Sequence, residues 1–143
     1  MSSSKLVISW DEFHLHTRQL ASQLKSIENI TGIVAVTRGG IIPTGIITSE
    51  LNIRLIDTVC VSSYDKNNQQ AEINLLKYPN HDGDGWLFIE DLVDSGNTIR
   101  FLKQHFPKAI FACVYAKPNG VCQTDYFVEK VKQDSWIQLP WEI

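Results

Sequence analysis

Short apolar segments alternate with helical patterns along most of this chain. Apolar runs of strand length predict four β-strands. Helical spacing of apolar residues predicts three helices, and Ser9 is a candidate N-cap for the first of them. The predicted strands lie within residues 32–40, 54–64, 85–93 and 109–117, and the predicted helices within residues 9–27, 41–53 and 96–107. This alternation favours an α/β fold with a mostly parallel central sheet flanked by helices.

One polar segment interrupts the alternation. Residues 65–74, with the sequence DKNNQQAEIN, consist mainly of amide and charged side chains. The composition predicts a mobile loop between the second and third predicted strands.

The composition fits one globular domain. The chain has 143 residues, of which 43% are hydrophobic and 20% charged, a balance that is typical of folded proteins. The net charge of -3 argues against a broad basic surface, so no nucleic-acid partner is expected. Cys60, Cys113 and Cys122 lack C-x-x-C spacing and are expected to be reduced thiols in a cytoplasmic protein. No secretory signal and no apolar run near ~18 residues is evident.

Three carboxylates follow a strongly apolar run. Glu90, Asp91 and Asp94 come after four apolar residues in the segment WLFIEDLVDSGNT, residues 86–98. In an open α/β sheet, ligands bind outside the carboxyl ends of the strands. Crowded carboxylates repel one another unless a cation or hydroxyl donors offset the repulsion. The pattern therefore indicates a binding site at the end of this strand.

The next four residues, Ser95 to Thr98, begin the third predicted helix. Free backbone N–H groups, two hydroxyls and the positive end of the helix dipole together make an anion site. Carboxylates that bind sugar hydroxyls beside such a site suit a ribose 5-phosphate. The alternative is an acidic N-cap cluster on a solvent-facing loop, because Asp and Ser are common at helix starts.

The segment LFIEDLVDSGNT resembles the phosphoribosyl diphosphate (PRPP) signature of type I phosphoribosyltransferases. Three further stretches, AVTRGGIIP, TVCVSSYD and YAKP followed by DSWIQLPW, resemble bacterial xanthine-guanine phosphoribosyltransferases in order and spacing. The resemblance runs from Trp10 to Trp141. It implies a single domain of the type I phosphoribosyltransferase fold over residues 1–143, with a small C-terminal hood of about residues 117–143.

The resemblance implies which residues hold PRPP. Arg38 and Gly39 in TRGG would hold pyrophosphate, with a cis peptide bond before Arg38; the alternative is a turn with a surface arginine. Glu90 and Asp91 would bind the ribose hydroxyls, and Asp91 would also touch Mg²⁺. The residues around the 5′-phosphate would be Val93, Asp94, Ser95, Gly96, Asn97 and Thr98.

The resemblance also implies a purine site. Asp94 would face the imidazole side of the base and take its proton. Lys117 would contact the 6-oxygen, Trp136 would stack on the ring, and the backbone of Ile137 would read the 2-substituent. Without the resemblance, Lys117 would be an ordinary solvated lysine and Trp136 a core residue. Trp141 is assigned to packing.

The activity implied is transfer of the 5-phosphoribosyl group from PRPP to a 6-oxopurine, either xanthine, guanine or hypoxanthine, in purine salvage. Pyrophosphate would leave, Mg²⁺ would be the cofactor, and the catalytic residues would be Asp94, Asp91 and Glu90. A homo-oligomer (dimer or tetramer) and weak peripheral membrane association are also implied. The alternatives are a phosphoribosyltransferase for another base, a PRPP- or nucleotide-binding regulator, and an inactive paralogue.

The sequence departs from the family pattern in three places. Relatives carry two aspartates where this chain has Glu90 and Asp91, and an arginine near the position of Gln69 and Gln70. Relatives also continue beyond PW with an apolar strand, whereas this sequence stops at Ile143. The preferred 6-oxopurine and the effect of the altered loop on turnover are left open by the sequence.

Overall fold

The structure, a computed structural model, describes residues 4–64 and 72–142, which form two sheets and three α-helices. The α-helices are α1 (Trp10–Leu24), α2 (Ile41–Leu51) and α3 (Asn97–His105), and a 3₁₀ turn covers Val121–Gln123. The strands are β1 (Lys5–Val7), β2 (Gly32–Thr37), β3 (Ile56–Tyr64), β4 (Glu72–Lys77), β5 (Trp86–Val93), β6 (Ile110–Ala116), β7 (Glu129–Lys130) and β8 (Trp136–Gln138).

The larger sheet has six strands in the order β4-β3-β2-β5-β6-β7. All neighbouring strands in it are parallel except β4, which runs antiparallel to β3 at one edge. The four strands predicted from apolar runs are β2, β3, β5 and β6, and they form the centre of this sheet. The prediction of a mostly parallel α/β sheet is therefore confirmed.

Each face of the larger sheet is covered by helices, because successive side chains along the strands alternate between two cores. Leu87 packs in the cluster that includes residues of α1 and α2, whereas its neighbour Phe88 packs in the cluster that includes residues of α3. Leu20 of α1 and Leu102 of α3 are both fully buried, one on each side. This two-sided burial explains why the central strands consist almost entirely of apolar residues.

The first helix begins where the sequence predicts. Ser9 accepts a hydrogen bond from the Glu12 N–H at its Oγ (3.1 Å), and Glu12 Oε1 accepts one from the Ser9 N–H (3.1 Å). This reciprocal pair is a capping box, which stabilises the first turn. The helix then buries Phe13 and Leu20, while Leu15 on its outer side is 56% exposed.

Strand β4 corrects the prediction for the polar segment. Residues 72–74 lie in this edge strand, where Ile73 pairs with Ser63 and Glu72 with Tyr64. The predicted loop is therefore wrong for these three residues, because pairing with β3 overrides their polar composition. The other residues of the segment, including Gln69 and Gln70, lie outside the described residues.

A second, two-stranded sheet joins the two ends of the described chain. Strand β1 pairs parallel with β8, with Leu6 opposite Ile137. These short strands have no sequence signal of their own, yet they place residues 136–138 beside the end of the larger sheet. Within the described residues, no helix has both the length and the apolar character needed to cross a membrane.

Candidate active site

A cleft of about 820 Å³ opens at the carboxyl end of the larger sheet. Its walls include Arg38 and Gly39 from the loop after β2, Glu90 and Asp91 from the end of β5, and Thr98 at the start of α3. Parallel strands end at the same edge of a sheet, and this is where α/β sheets bind ligands. The structure thus brings together five residues that the sequence analysis singled out.

The loop after β2 makes close backbone contact with the acidic strand. The peptide bond between Thr37 and Arg38 is cis, as the resemblance predicts. A Cβ atom added to Gly39 would lie 2.6 Å from the carboxyl carbon of Asp91, so a larger residue here would have to displace the Asp91 carboxylate or the loop. The Arg38 residue is exposed at the cleft. The loop therefore presents the Gly39 backbone directly against the Asp91 carboxylate, and the Arg38 cation lines the same cleft.

Glu90 and Asp91 form a close pair of carboxylates. The Asp91 N–H donates to Glu90 Oε1 (3.3 Å), and the Leu92 N–H donates to Asp91 Oδ1 (2.7 Å). Burial raises the pKa of Glu90 well above its ordinary value, and the charge of Asp91 raises it further. Burial also raises the pKa of Asp91, against the hydrogen bond from Leu92, and the charge of Glu142 adds to the rise. Both carboxylates are therefore costly to ionise without a cation nearby.

This donor set fits a hard divalent cation. Among the described residues, no group of three or more His, Cys, Asp or Glu side chains could hold a metal ion by itself. Mg²⁺ typically takes one or two protein carboxylates and completes its shell with water and substrate phosphate oxygens. The Glu90–Asp91 pair therefore suits an Mg²⁺ ion that is bound together with a phosphorylated ligand.

Trp141 and Glu142 also line the cleft, and the sequence analysis missed this role. Trp141 does pack as expected, with its ring edge-on to Phe13 at a centroid distance of 4.9 Å. Trp141 also forms part of the cleft wall, which the sequence did not predict. Glu142 Oε1 accepts a hydrogen bond from the Leu139 N–H (2.9 Å), which holds the carboxylate in a local turn. No spacing in the sequence indicated that this acid lies near Asp91.

A second cavity, of about 120 Å³, lies at the N-terminus of α3. Gly96 is the N-cap with φ of 87°, and as a glycine it has no side chain that could accept from the first-turn N–H groups. The Asn97 N–H donates to Ser95 Oγ (3.2 Å), and Val93 is buried, so Val93 presents mainly backbone to the cavity. Uncapped N–H groups at a helix N-terminus favour an anion such as a phosphate. Because Glu90 and Thr98 line both spaces, the small cavity adjoins the large cleft.

Asp94, which lines the small cavity, also contacts Lys117. Lys117 is only 7% exposed, which excludes an ordinary solvated lysine. Its Nζ donates to the Ser135 carbonyl oxygen (2.7 Å) and lies 3.4 Å from Asp94 Oδ2. Asp94 Oδ1 accepts a hydrogen bond from Gln133 Nε2 (2.8 Å). The contacts of Ser135 and Gln133 join segments far apart in sequence, so sequence reasoning missed both.

Trp136 and Ile137 lie in β8, next to this pair. Trp136 is 71% exposed, so it is not a core residue and its ring is accessible for stacking. Ile137 is buried and packs its side chain in the α1 and α2 core. Only the backbone of Ile137 is therefore suited to contact a ligand.

The pairing of β8 with β1 determines which way the Ile137 backbone faces. The Trp136 N–H donates to the Ser4 carbonyl oxygen (2.8 Å), so Trp136 directs its backbone groups to β1. Backbone groups of successive strand residues alternate in direction, and Ile137 therefore faces away from β1. The Ser135 carbonyl faces the same way and accepts from Lys117. The N–H and C=O of Ile137 thus lie on the Lys117 side of the strand.

Comparison with known proteins agrees with this geometry. The sequence profile of the phosphoribosyl transferase domain matches residues 9–143. The chain belongs to the phosphoribosyltransferase family. A relative named xanthine-guanine phosphoribosyltransferase from Idiomarina loihiensis is 45% identical, with 99% of this chain and 89% of the relative covered. A protein of the same name from Desulfotalea psychrophila is 50% identical, with 94% of this chain and 84% of that protein covered.

Solved structures share the fold of this phosphoribosyltransferase. The purine phosphoribosyltransferase from Pyrococcus horikoshii superposes with a TM-score of 0.81 at 24% identity, over 97% of this chain and 95% of the other. The xanthine-guanine-hypoxanthine phosphoribosyltransferase from Helicobacter pylori gives a TM-score of 0.76 at 23% identity, over 97% and 94%. At these identities the likeness concerns the fold.

The phosphoribosyltransferase chain thus carries its predicted site residues in two neighbouring groups. One group lines the large cleft and the small cavity, and the other surrounds the Asp94–Lys117 pair. Their contacts with ligands remain predictions. The first group comprises Arg38, Gly39, Glu90, Asp91, Val93, Asp94, Ser95, Gly96, Asn97 and Thr98. The second comprises Lys117, Trp136, Ile137 and again Asp94, which belongs to both groups.

Proposed function

We propose that this phosphoribosyltransferase transfers the 5-phosphoribosyl group from PRPP to a 6-oxopurine and releases pyrophosphate. One observation carries the proposal: a half-buried carboxylate pair and a helix N-terminus without an N-cap side chain adjoin the Asp94–Lys117 pair. The first two suit a ribose phosphate, and the third suits a base with a carbonyl oxygen and an acidic N–H. The names of the relatives at 45% and 50% identity make xanthine and guanine the first candidates, with hypoxanthine a third.

In this proposal PRPP spans the cleft and the small cavity. The 5′-phosphate accepts hydrogen bonds at the N-terminus of α3, where the helix dipole also favours its charge. Arg38 and the Gly39 backbone hold the pyrophosphate, and Glu90 and Asp91 accept hydrogen bonds from the ribose hydroxyls. Asp91 would hold an Mg²⁺ ion, which would supply positive charge beside the pyrophosphate leaving group.

The base is held between β8 and the Asp94–Lys117 pair. Lys117 donates to the 6-oxygen, and Asp94 takes the proton from the imidazole side of the purine as its ring nitrogen attacks the anomeric carbon. The exposed ring of Trp136 stacks on the purine, which contributes roughly 1–3 kcal/mol by analogy with other base–aromatic contacts. The Ile137 backbone reads the 2-substituent.

The residues of this chain contribute chiefly position and electrostatics. The reaction builds positive charge on the sugar and negative charge on the leaving group. The Glu90–Asp91 pair is half-buried at the wall of the cleft, where its charge acts more strongly than in bulk water. Fixed donors and acceptors around both substrates remove the entropy cost of aligning them at the transition state.

The assembly and location of the protein are also part of the proposal. Within α2 only Glu50 is charged, and Ile41 on its surface is 51% exposed, which supports a homo-oligomer, either dimer or tetramer. The three cysteines lie in the described residues and are free thiols, which supports a cytoplasmic location.

Residues 1–143 act as one domain whose hood, about residues 117–143, includes β8. Weak peripheral membrane association stays a prediction.

The test is product formation from PRPP and Mg²⁺ with xanthine, guanine, hypoxanthine and adenine in parallel assays. We expect conversion of the 6-oxopurines and none of adenine, because Lys117 offers a donor where adenine also carries one. An Asp94→Asn variant should bind PRPP normally and lose most turnover. Tight PRPP binding without conversion of any base would overturn the transferase proposal and favour a regulator or an inactive paralogue.

A further inference from the structure

Gln133 makes two hydrogen bonds that link separate parts of the candidate site. Its Nε2 donates to Asp94 Oδ1 at 2.8 Å, across 39 positions of sequence. Its Oε1 accepts from the backbone N–H of Asn119, also at 2.8 Å. Gln133 lies between β7 and β8, a segment that carries no other part of the proposed mechanism. No role for this residue follows from the sequence motifs.

The contact with Asn119 determines how the Gln133 amide is oriented. A backbone N–H can only donate, so the side-chain atom that faces it must be the carbonyl oxygen. The NH₂ group of Gln133 is then the group that faces Asp94. The hydrogen bond from Asn119 therefore determines that Gln133 donates to Asp94 and does not accept from it.

The Asp94 carboxylate needs such support. Its side chain is 58% exposed, and its second contact, with Lys117 Nζ, is long at 3.4 Å. The terminal torsion of an aspartate has a broad energy profile, so an exposed carboxylate turns freely unless something holds it. A general base must lie within hydrogen-bond reach of the proton it removes, and small displacements are costly. The bond from Gln133 holds one oxygen and leaves the other directed towards Lys117.

The Asn119 side of the contact adjoins the backbone of residues 94–96, which precedes α3 and is called the phosphate loop. Gly120 follows Asn119, and a Cβ atom on Gly120 would lie 2.6 Å from the Asp94 carbonyl oxygen and 2.9 Å from the Gly96 nitrogen. The turn that orients Gln133 is therefore packed against the backbone that precedes α3. The turn of Asn119 and Gly120 thus contacts both the Gln133 side chain and the backbone before α3.

We propose that Gln133 is a positioning residue for the reaction: it orients the Asp94 carboxylate towards the purine by donating to Oδ1 while Asn119 fixes its amide. This inference rests on the proposed function, in which Asp94 accepts the purine proton. Gln133 touches neither substrate in the mechanism. Its effect is on the geometry of Asp94 and so on kcat and the purine KM, and not on the PRPP KM.

The Gln133→Glu variant separates this role from simple support of the Asn119 turn. Glutamate keeps an oxygen that accepts from the Asn119 N–H, but it replaces the donor to Asp94 by a second carboxylate. Two facing carboxylates repel, and the repulsion ends when the introduced carboxyl is protonated and can donate. Gln133→Leu removes both bonds and cannot recover at any pH. Gln104→Glu, at an exposed position of α3, adds the same charge away from the site and serves as the control.

The experiment measures kcat and both KM values for the full-length wild type and the three variants between about pH 4.5 and pH 8.5. We expect Gln133→Glu to lose at least about tenfold in kcat over the purine KM at about pH 8. Its ratio to wild type should rise as the pH falls, and its PRPP KM should stay within about twofold. Gln133→Leu should show a loss whose ratio to wild type is independent of pH, and Gln104→Glu should match wild type.

Two outcomes would overturn the inference. One is that Gln133→Glu matches Gln104→Glu at every pH. The other is that Gln133→Glu and Gln133→Leu lose activity equally with no recovery in acid, which would mean that Gln133 only supports the Asn119 turn. Wild-type turnover in the same assay separates these results from failure of the transferase proposal, since an inactive wild type would overturn the function itself.

Discussion

Gly39 lies against the carboxyl group of Asp91, so closely that a Cβ atom on residue 39 would fall 2.6 Å from Asp91 Cγ. This contact joins the loop after β2 to the end of β5. In the proposed mechanism the first holds pyrophosphate and the second holds ribose and Mg²⁺. Because Gly39 has no side chain, the proposed pyrophosphate loop can lie this close to the carboxylate that is proposed to bind ribose and Mg²⁺.

Gly39→Ala tests this contact. The added methyl group must displace either the loop or the Asp91 carboxylate, so we expect the PRPP KM to rise by at least about tenfold. Overpacking should also lower the free energy of unfolding by about 1–3 kcal/mol. Steady-state kinetics and chemical denaturation measure the two effects.

Gly45→Ala is the matched control, because a Cβ atom on Gly45 of α2 would meet nothing within 4 Å. Its PRPP KM should equal that of wild type, and its helix should gain up to about 1 kcal/mol of stability. An unchanged PRPP KM in Gly39→Ala would contradict the assignment of this loop to pyrophosphate.

The raised pKa values of Glu90 and Asp91 predict a pH dependence of stability. Burial raises the pKa of both groups, so the folded state binds their protons more tightly than the unfolded state does. Stability without Mg²⁺ should therefore fall as the pH rises from the ordinary carboxylate range through the raised pKa values. Glu90→Gln removes one ionisation, and it should be more stable than wild type near neutral pH, by on the order of 1 kcal/mol.

Denaturation curves in metal-free buffer at several pH values between about 4.5 and 8 measure this effect. The wild type should approach the Glu90→Gln variant in stability at the acid end and fall below it near neutral pH. If the free energy of unfolding depends on pH equally in the two proteins, the pKa of Glu90 is not raised in the folded state.

Glu142→Gln tests the acid that the sequence analysis missed. Glu142 lines the cleft, and its charge contributes to the raised pKa of Asp91. Glutamine keeps an oxygen that accepts from the Leu139 N–H, so the local turn should persist. Removing one negative charge near the proposed metal should raise the Mg²⁺ concentration for half-maximal activity by about three- to tenfold.

Titration of activity with Mg²⁺ at saturating substrates measures this change. Glu28→Gln removes the same charge at an exposed position outside the cleft and should leave the Mg²⁺ requirement unaltered. If both variants have the wild-type requirement, Glu142 does not act on the metal.

Gly120→Ala tests the packing between the hood and the phosphate loop. The new methyl group would lie 2.6 Å from the Asp94 carbonyl oxygen and 2.9 Å from the Gly96 nitrogen, so the loop must move. We expect the KM values for PRPP and for the purine to rise together, each by about tenfold, because the same backbone serves both. Asn119→Ala keeps the backbone N–H and changes only an exposed side chain, so its kinetics should resemble wild type. A rise in the purine KM with an unchanged PRPP KM would contradict the claim that this backbone serves both substrates.

The central fold could be predicted from local patterns because burial on both faces requires continuous apolar runs. Strands β2 and β5 are continuous apolar runs in the sequence, and the start of α1 was marked by Ser9 as a candidate N-cap. Strands β1, β7 and β8 have two or three residues each, too few for any periodicity to be visible. Strand β4 was missed because an edge strand that is exposed along most of its length can be polar.

The sequence by itself determined the residues that act from one contiguous segment. Glu90 to Thr98 combine a strand end with a helix start, and local geometry alone places carboxylates beside free N–H groups. Only the tertiary structure decided which distant groups complete them. Gln133 reaches Asp94 across 39 positions, and Glu142 approaches Asp91 from the other end of the chain. Such contacts depend on how the hood packs on the sheet, and a linear pattern carries no signal for packing between remote segments.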